Sequence, residues 1–177
     1  ELFIVDLPKD EQGWKRAVRE PLEGTAEMMP APPAGVAQRR LTFTHQNRFP
    51  GLVNIPRYWV RTHPQATQIA FLMRDELGVV QLWLIAPEGG EPRQLTHHAS
   101  DIQSAFNWHP SGDALGFVLE NRIALADSHT GKVTFLTSDH GNPPSGDAIV
   151  FSPDGQFIAW MEETAGFRQL WVTETGK

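Results

Sequence analysis

Three stretches of this 177-residue chain repeat one pattern, in which an aromatic-rich segment runs into a His-Pro or Ser-Pro step. The prolines of these steps are Pro64, Pro110 and Pro153, which stand 46 and 43 residues apart. A self-similar period of about 40–45 residues is typical of β-propeller blades, and a single blade cannot bury its own faces. The spacing therefore predicts an all-β chain that forms part of a β-propeller.

Each repeat is interpreted as four antiparallel strands, which we letter A to D in chain order. Gly and acidic residues mark the hairpin turns, as over 75–78, because they readily supply the positive φ of tight turns. A Leu-Thr pair closes strand D three times, at Leu41-Thr42, Leu95-Thr96 and Leu136-Thr137. Glu162 and Glu163 are expected in the solvated loop between strands B and C of the last repeat.

The repeats predict an arc of about three four-stranded antiparallel blades plus part of another. The expected segments are the end of a blade over 1–7 and 38–42, an insertion over 8–37, blades over 56–96 and 103–137, and a truncated blade over 147–177. The insertion is expected to contain a short helix from Asp10 to Val18 and a proline-rich surface stretch over 29–33. Since closed propellers have about 4–8 blades, we expect the arc to be a piece of a larger ring.

Composition limits the partners that this chain can have. The net charge is −6, which opposes nucleic-acid binding because that binding requires a basic surface to displace counterions from phosphates. No segment approaches the roughly 20 apolar residues of a transmembrane helix. The chain has no Cys, so it contains neither disulfides nor thiolate metal ligands. We therefore expect no nucleic-acid partner and no membrane span in this chain.

The connections from strand D to the next strand A carry the candidate ligand-binding residues. In a propeller these connections lie on one face, around the mouth of the central channel. Their polar residues are His45, Arg48, His97, His98, Asp101, Asp139, His140 and Asp147. Three successive blades thus place His on what should be one shared rim.

Imidazole and carboxylate groups on a rim are chemically suited to Zn, Mn or Fe, and His is the usual general base near neutral pH. His97, His98 and His140 are therefore weak candidates for metal ligands. No fixed metal-binding spacing such as HExxH is present, and loops are polar in any case. A polar rim without a metal is therefore the favoured interpretation, and the metal site is the alternative. His63 and His109 occupy equivalent repeat positions and are expected to be structural.

The run from Ser152 to Trp160 resembles the repeat of the TolB-like (PD40-type, WD40-like) propellers. The segments 38–45, 49–54 and 101–112 resemble the C-terminal part of the uncharacterised enterobacterial YidR-like proteins. The resemblance implies a bacterial protein, with the cytoplasm favoured over the periplasm. TolB-like blades serve in periplasmic interaction proteins, prolyl-oligopeptidase-like peptidases and oligogalacturonate lyases.

Three functions follow from this reasoning. The favoured one is a non-catalytic module that binds a protein, peptide or small ligand on its channel face, with no cofactor. The second, implied by the resemblance, is a metal-dependent carbohydrate-active enzyme similar to oligogalacturonate lyase, using Mn or another divalent metal on a uronate oligosaccharide. The third is an accessory propeller of a prolyl-oligopeptidase-like hydrolase. This chain contains no Gly-x-Ser-x-Gly elbow, so it lacks the hydrolase's nucleophile.

Overall fold

A computed structural model describes residues 1–15, 25–27, 33, 35–53, 55, 58–139, 141–147 and 149–177. The chain divides into two compact units, 1–42 and 43–177. In the first unit, the described elements are β1 (Phe3–Asp6), the one-turn helix α1 (Glu11–Trp14) and β2 (Ala37–Arg40). Strands β1 and β2 pair in antiparallel fashion, with Phe3 opposite Arg40.

The helix α1 begins where the sequence indicates. Asp10 is its N-cap, because Asp10 Oδ1 accepts a hydrogen bond from Gly13 N at 2.7 Å. The helix ends at Trp14, and the predicted continuation to Val18 enters residues outside the described ranges. The predicted proline-rich stretch also lies outside them, except for Pro33.

The second unit contains a short 3₁₀ helix (Thr44–Gln46) followed by three antiparallel sheets. In each sheet the spatial order of the strands follows the chain. Blade I consists of β3 (Arg61–Thr62), β4 (Ile69–Arg74), β5 (Val80–Ile85) and β6 (Arg93–Gln94). Blade II consists of β7 (Asn107–Trp108), β8 (Ala114–Leu119), β9 (Arg122–Asp127) and β10 (Val133–Phe135). Blade III consists of β11 (Val150–Phe151), β12 (Phe157–Thr164) and β13 (Phe167–Glu174).

Successive blades pack through apolar side chains. Leu82 in β5 and Phe117 in β8 belong to one buried cluster that joins blades I and II. Val118 in β8 and Ile158 in β12 belong to a second cluster, which joins blades II and III. All six residues of β8 are buried, because apolar neighbours cover both faces of this strand. The prediction of an all-β partial propeller is therefore confirmed, with four described sheets of two to four strands.

The hairpin of blade III differs from the sequence-based interpretation. Glu162 does not lie in a solvated loop but in β12, where it is only 5% exposed, whereas Glu163 is exposed. The strands continue past both acids to a turn at Ala165 and Gly166, whose φ angles are 52° and 80°. The expectation for Glu162 is wrong because β12 continues past the charged pair to Thr164, which places the Glu162 side chain within the sheet.

The closing Leu-Thr pairs have a common structural role. The hydroxyl oxygen of each Thr accepts a hydrogen bond from a backbone N–H near the start of the adjacent strand. The three pairs are Thr42 with Leu2 N at 2.8 Å, Thr96 with Leu82 N at 3.0 Å and Thr137 with Ile123 N at 3.0 Å. Thr96 also donates to Gln81 Oε1 at 2.8 Å. The recurring Thr thus accepts a hydrogen bond from a backbone N–H at the point where the main-chain hydrogen bonds between the two strands end.

The His-Pro and Ser-Pro steps fold as tight turns between strands A and B. His109 N donates to Ala114 O and Gly112 N donates to His109 O, both at 2.8 Å. The side chain supports the turn as well, because His109 Nδ1 accepts from Ser111 N at 3.2 Å. His63 and Ser152 begin turns with the same pair of backbone hydrogen bonds. The repeated position is therefore structural, as the sequence indicated.

Each of these His side chains also contacts the following blade. The His63 ring meets Trp108 edge-on with centroids 4.7 Å apart, and the His109 ring meets Phe151 in the same way at 5.2 Å. His109 Nε2 lies 2.9 Å from Gly155 O, within hydrogen-bond distance. A Cβ placed on Gly155 would lie 2.3 Å from that ring nitrogen. Gly155 is thus required both by its positive φ and by the close approach of His109.

Substituting Gly155→Ala should therefore destabilise the protein more than Gly166→Ala. Both glycines have a left-handed φ, so each substitution carries a backbone cost of about 1–2 kcal/mol. Only Gly155 faces a neighbouring side chain, and that contact should add about 1–3 kcal/mol. Urea unfolding measures both variants. The double variant Gly155→Ala with His109→Ala should recover part of the lost free energy of unfolding, because it removes the close contact. Equal losses in the two single variants, or no recovery in the double variant, would contradict the proposed contact between blades.

Substituting Thr96→Val should lower the free energy of unfolding by about 1–3 kcal/mol, because it leaves buried polar groups of Leu82 and Gln81 without their Thr96 partner. The matched control is Thr134→Val, an exposed change in β10 that should stay within about 0.5 kcal/mol of the wild type. Chemical denaturation of both variants is the measurement. If Thr96→Val behaves like Thr134→Val, the hydroxyl does not have this role.

Candidate functional site

The D-to-A connections and the B–C hairpins lie at the same end of the blades. One residue of each connection forms an isolated antiparallel bridge with strand B of the blade that follows. The bridges join Leu52 to Met73, Ile102 to Leu119 and Pro144 to Glu162. Polar contacts add to them, since Asn121 N donates to Gln103 Oε1 at 2.9 Å. The connections are therefore fixed to the sheets, and we call this end of the second unit the rim.

Two candidate residues lie in the first connection. His45 is in the 3₁₀ helix and is exposed. Arg48 is also exposed, and its Nη1 donates to Glu76 O at 3.3 Å, in the turn between β4 and β5. Its guanidinium carbon lies 5.4 Å from the centroid of the Phe49 ring. Arg48 thus links its connection to a hairpin of the rim.

Two of the candidate Asp residues, Asp101 and Asp139, accept backbone hydrogen bonds. Asp101 Oδ1 accepts from Val80 N at 2.7 Å, and Asp139 Oδ1 accepts from Gly141 N at 2.9 Å. Both side chains are exposed, so each retains contact with solvent. Their geometry explains why acidic residues occur at these positions without any ligand, because each stabilises a local turn or strand end.

His97 and His98 differ in their surroundings. His97 is exposed, whereas His98 is half-buried and its backbone is held on both sides by Gln81. Gln81 Nε2 donates to His98 O at 2.8 Å, and His98 N donates to Gln81 Oε1 at 3.3 Å. His98 Nε2 is buried and has no hydrogen-bond partner among the described residues. Burial lowers the pKa of His98, although the nearby charge of Glu120 partly opposes this shift.

The described residues do not bring the metal-ligand candidates together. No group of three His, Asp or Glu side chains within the described ranges is placed to hold a metal ion. His140, the third proposed ligand, lies outside those ranges. Asp147 is described, and its Oδ2 accepts a hydrogen bond from Ser145 Oγ at 3.1 Å. In the described part, the rim is a set of separate polar side chains.

The sequence reasoning overlooked the inner strands, where polar side chains cross from blade to blade. Arg61 Nε in β3 donates to Asn107 Oδ1 in β7 at 2.8 Å. Asn107 Nδ2 in turn donates to Ile149 O beside β11, and Trp108 Nε1 donates to Arg61 O at 3.0 Å. Hydrogen bonds thus link strand A of each described blade to the next, and we call the surface formed by these strands, which carries Arg61, Asn107 and Val150, the channel face.

Aromatic side chains flank this surface. Trp59, next to β3, is 65% exposed, and the guanidinium carbon of Arg61 lies 5.9 Å from its ring centroid. Burial and the charge of Asp147 raise the pKa of Tyr58, so the phenol is protonated at neutral pH. The sequence signal for this surface is that Trp59 and Arg61 alternate just before a His-Pro step. Residues two apart in a strand share a face, so these two side chains are expected on the same side.

Comparisons with known proteins agree with this architecture. No protein-family model matches the chain. The chain is 67% identical, over all 177 residues, to the uncharacterised protein YidR of Escherichia coli K12, of which it spans 42%. The chain thus spans less than half the length of the curated relative that it matches.

Solved structures give the fold. TolB from Acinetobacter baumannii is 22% identical and matches with a TM-score of 0.56, over 78% of this chain and 32% of that protein. An oligogalacturonate lyase from Vibrio parahaemolyticus is 17% identical and matches with a TM-score of 0.52, over 91% of this chain and 35% of the lyase. The chain is therefore a TolB-like propeller arc, similar throughout to a bacterial YidR protein, and the predicted resemblance is confirmed. No helix among the described residues is long and apolar enough to cross a membrane.

The pKa of His98 predicts how acid affects stability. The unfolded chain binds a proton near the ordinary His pKa of about 6.5, while the folded protein binds it only at lower pH. Stability contributed by neutral His98 is therefore lost as the pH falls below about 6.5. His98→Gln should show a shallower fall in the free energy of unfolding between about pH 7 and pH 5. An unchanged slope in His98→Gln would contradict this prediction.

Proposed function

We propose that this arc of a TolB-like propeller is a non-catalytic binding module that holds a protein or peptide segment on its channel face. The observation that carries the proposal is the exposed Trp59 ring beside Arg61 at the inner edge of blade I. Trp and Arg are the residues most enriched at binding hot spots, because both combine a large contact area with directional polar groups.

The geometry of Arg61 supports recognition of an extended, partly acidic segment. Asn107 Oδ1 accepts from Arg61 Nε at 2.8 Å and so fixes the guanidinium group. A fixed guanidinium loses less conformational entropy when it pairs with a carboxylate or a peptide carbonyl. The exposed Trp59 ring provides an apolar surface beside that polar contact.

The proposal also includes the rim residues as ligand contacts. Among them, His98 has a buried ring nitrogen without a partner among the described residues, and burial lowers its pKa. A neutral imidazole carries one donor and one acceptor nitrogen, so His98 has hydrogen-bonding capacity that the described residues leave unused, and we rank it first among the rim candidates. His45, Arg48, His97, Asp101, Asp139 and His140 remain candidates of lower rank. We also propose a cytoplasmic location for the bacterial protein.

The lyase-like and hydrolase-accessory alternatives have less support. A metal-dependent lyase needs several His or acidic side chains around one ion, and the described residues contain no such group. The structural match to a lyase, at 17% identity, concerns the fold, and a fold does not imply a reaction. The release of an ultraviolet-absorbing unsaturated product from uronate oligomers in the presence of Mn would favour the lyase over the binding module.

Photo-crosslinking tests the binding proposal. Benzoylphenylalanine replacing Val150, the exposed residue of β11 that occupies the repeat position of Arg61 and Asn107, should form a discrete adduct with a partner in cells. The adduct should be lost in Trp59→Ala and in Arg61→Ala, because both remove contacts at the channel face. The control position is Glu88, an exposed residue in the turn between β5 and β6, at the other end of blade I. The same adduct at Glu88, or an adduct at Val150 that is insensitive to both substitutions, would contradict the proposal.

A further inference from the structure

Blade III contains a buried acid at a position that is apolar in the other two blades. Glu162 occupies the place in strand B that Met73 has in blade I and Leu119 has in blade II, as their equivalent bridges to the D-to-A connections show. Met73 is 1% exposed and Leu119 is 0% exposed, as expected for core residues. Glu162 is 5% exposed, so blade III has a carboxyl group where the propeller needs only an apolar side chain.

The described residues satisfy this carboxyl group incompletely. Trp160 Nε1 donates to Glu162 Oε1 at 2.7 Å, and this is a neutral donor on the same strand. No Lys, Arg or His side chain in the described ranges forms an ion pair with Glu162. Burying a carboxylate is costly unless a positive charge or several hydrogen bonds compensate it. One indole N–H leaves most of that requirement unmet.

Glu162 lines a cavity of about 540 Å³ between blades II and III, which we call the Glu162 cavity. Trp160 and Trp171 stand opposite each other in β12 and β13 and form part of its wall. Trp171 is 45% exposed, and Gln169 and Asn142 add polar groups. The volume is in the range of small-molecule sites, which are mostly apolar with a few placed polar groups.

We propose that the Glu162 cavity binds a small organic cation, in which an ammonium group is joined to an apolar body. The ammonium group pairs with the Glu162 carboxylate and supplies the positive charge that the described residues do not. Indole rings attract cations through their π faces and pack against apolar groups, so the two Trp residues suit both parts of such a ligand. A neutral or anionic ligand would leave the carboxylate uncompensated.

This site is independent of the channel face. None of the residues that line the Glu162 cavity belongs to the set formed by Trp59, Arg61 and Asn107. The cavity wall comes from β12, β13 and the chain after β10, whereas the channel face comes from the inner strands. The two proposals can therefore fail separately.

Calorimetric titration of the full-length protein with 2-phenylethylamine tests the proposal. Two probes of similar shape serve as ligand controls, the neutral 2-phenylethanol and the anionic 3-phenylpropionate. We expect saturable binding of the amine at millimolar concentration and none of either control. Absence of amine binding, or equal binding of the alcohol, would overturn the proposal without the need for any variant.

Variants then locate the site. Glu162→Gln retains an acceptor for Trp160 and should weaken amine binding at least about tenfold, whereas the adjacent exposed control Glu163→Gln should not change it. Trp171→Ala, in a partly exposed strand, should weaken amine binding severalfold. This variant provides the test of the site if Glu162→Gln does not fold. Equal binding by the wild type and a folded Glu162→Gln, or by the wild type and Trp171→Ala, would place the amine elsewhere and overturn the assignment.

Discussion

The structure depends on covering both faces of each blade with the neighbouring blades. Strand β8 shows this most clearly, because every one of its six residues is buried between blades I and III. An antiparallel sheet that is apolar on both faces cannot be stable alone in water, so a repeat of this kind requires an array. In β13 of blade III most residues are exposed, including Phe167 and Leu170.

Two short motifs fix strands within a blade and blades against each other. The closing Thr of strand D pairs a backbone donor near the start of the adjacent strand, so it fixes the register of the outer strand. The His of the A–B turn contacts the aromatic residue and the glycine of the next blade, so it fixes the position of the neighbour. Both are visible in the sequence as short motifs because each needs a particular residue type at a particular place in the repeat.

The fold could be predicted because period, turn residues and closing Leu-Thr pairs all indicate the same four-stranded unit. The site could be predicted only in part. The sequence indicates that His98 lies on a D-to-A connection, but it does not indicate that Gln81 in β5 holds the His98 backbone or that a ring nitrogen is buried. Glu162 was misplaced for a related reason, since a charged pair near a turn is usually solvated. Its burial follows from the length of the β12–β13 hairpin, which no local pattern specified.

Amide hydrogen exchange tests the central claim most directly. If blades are stabilised by contact on both faces, the amides of β8 in this chain should exchange only through global unfolding and should be the most protected. The amides of β13 should exchange through smaller openings, because most of that strand is exposed. Protection in β8 that is equal to or weaker than that in β13 would show that the sheets are stable individually and would contradict the account.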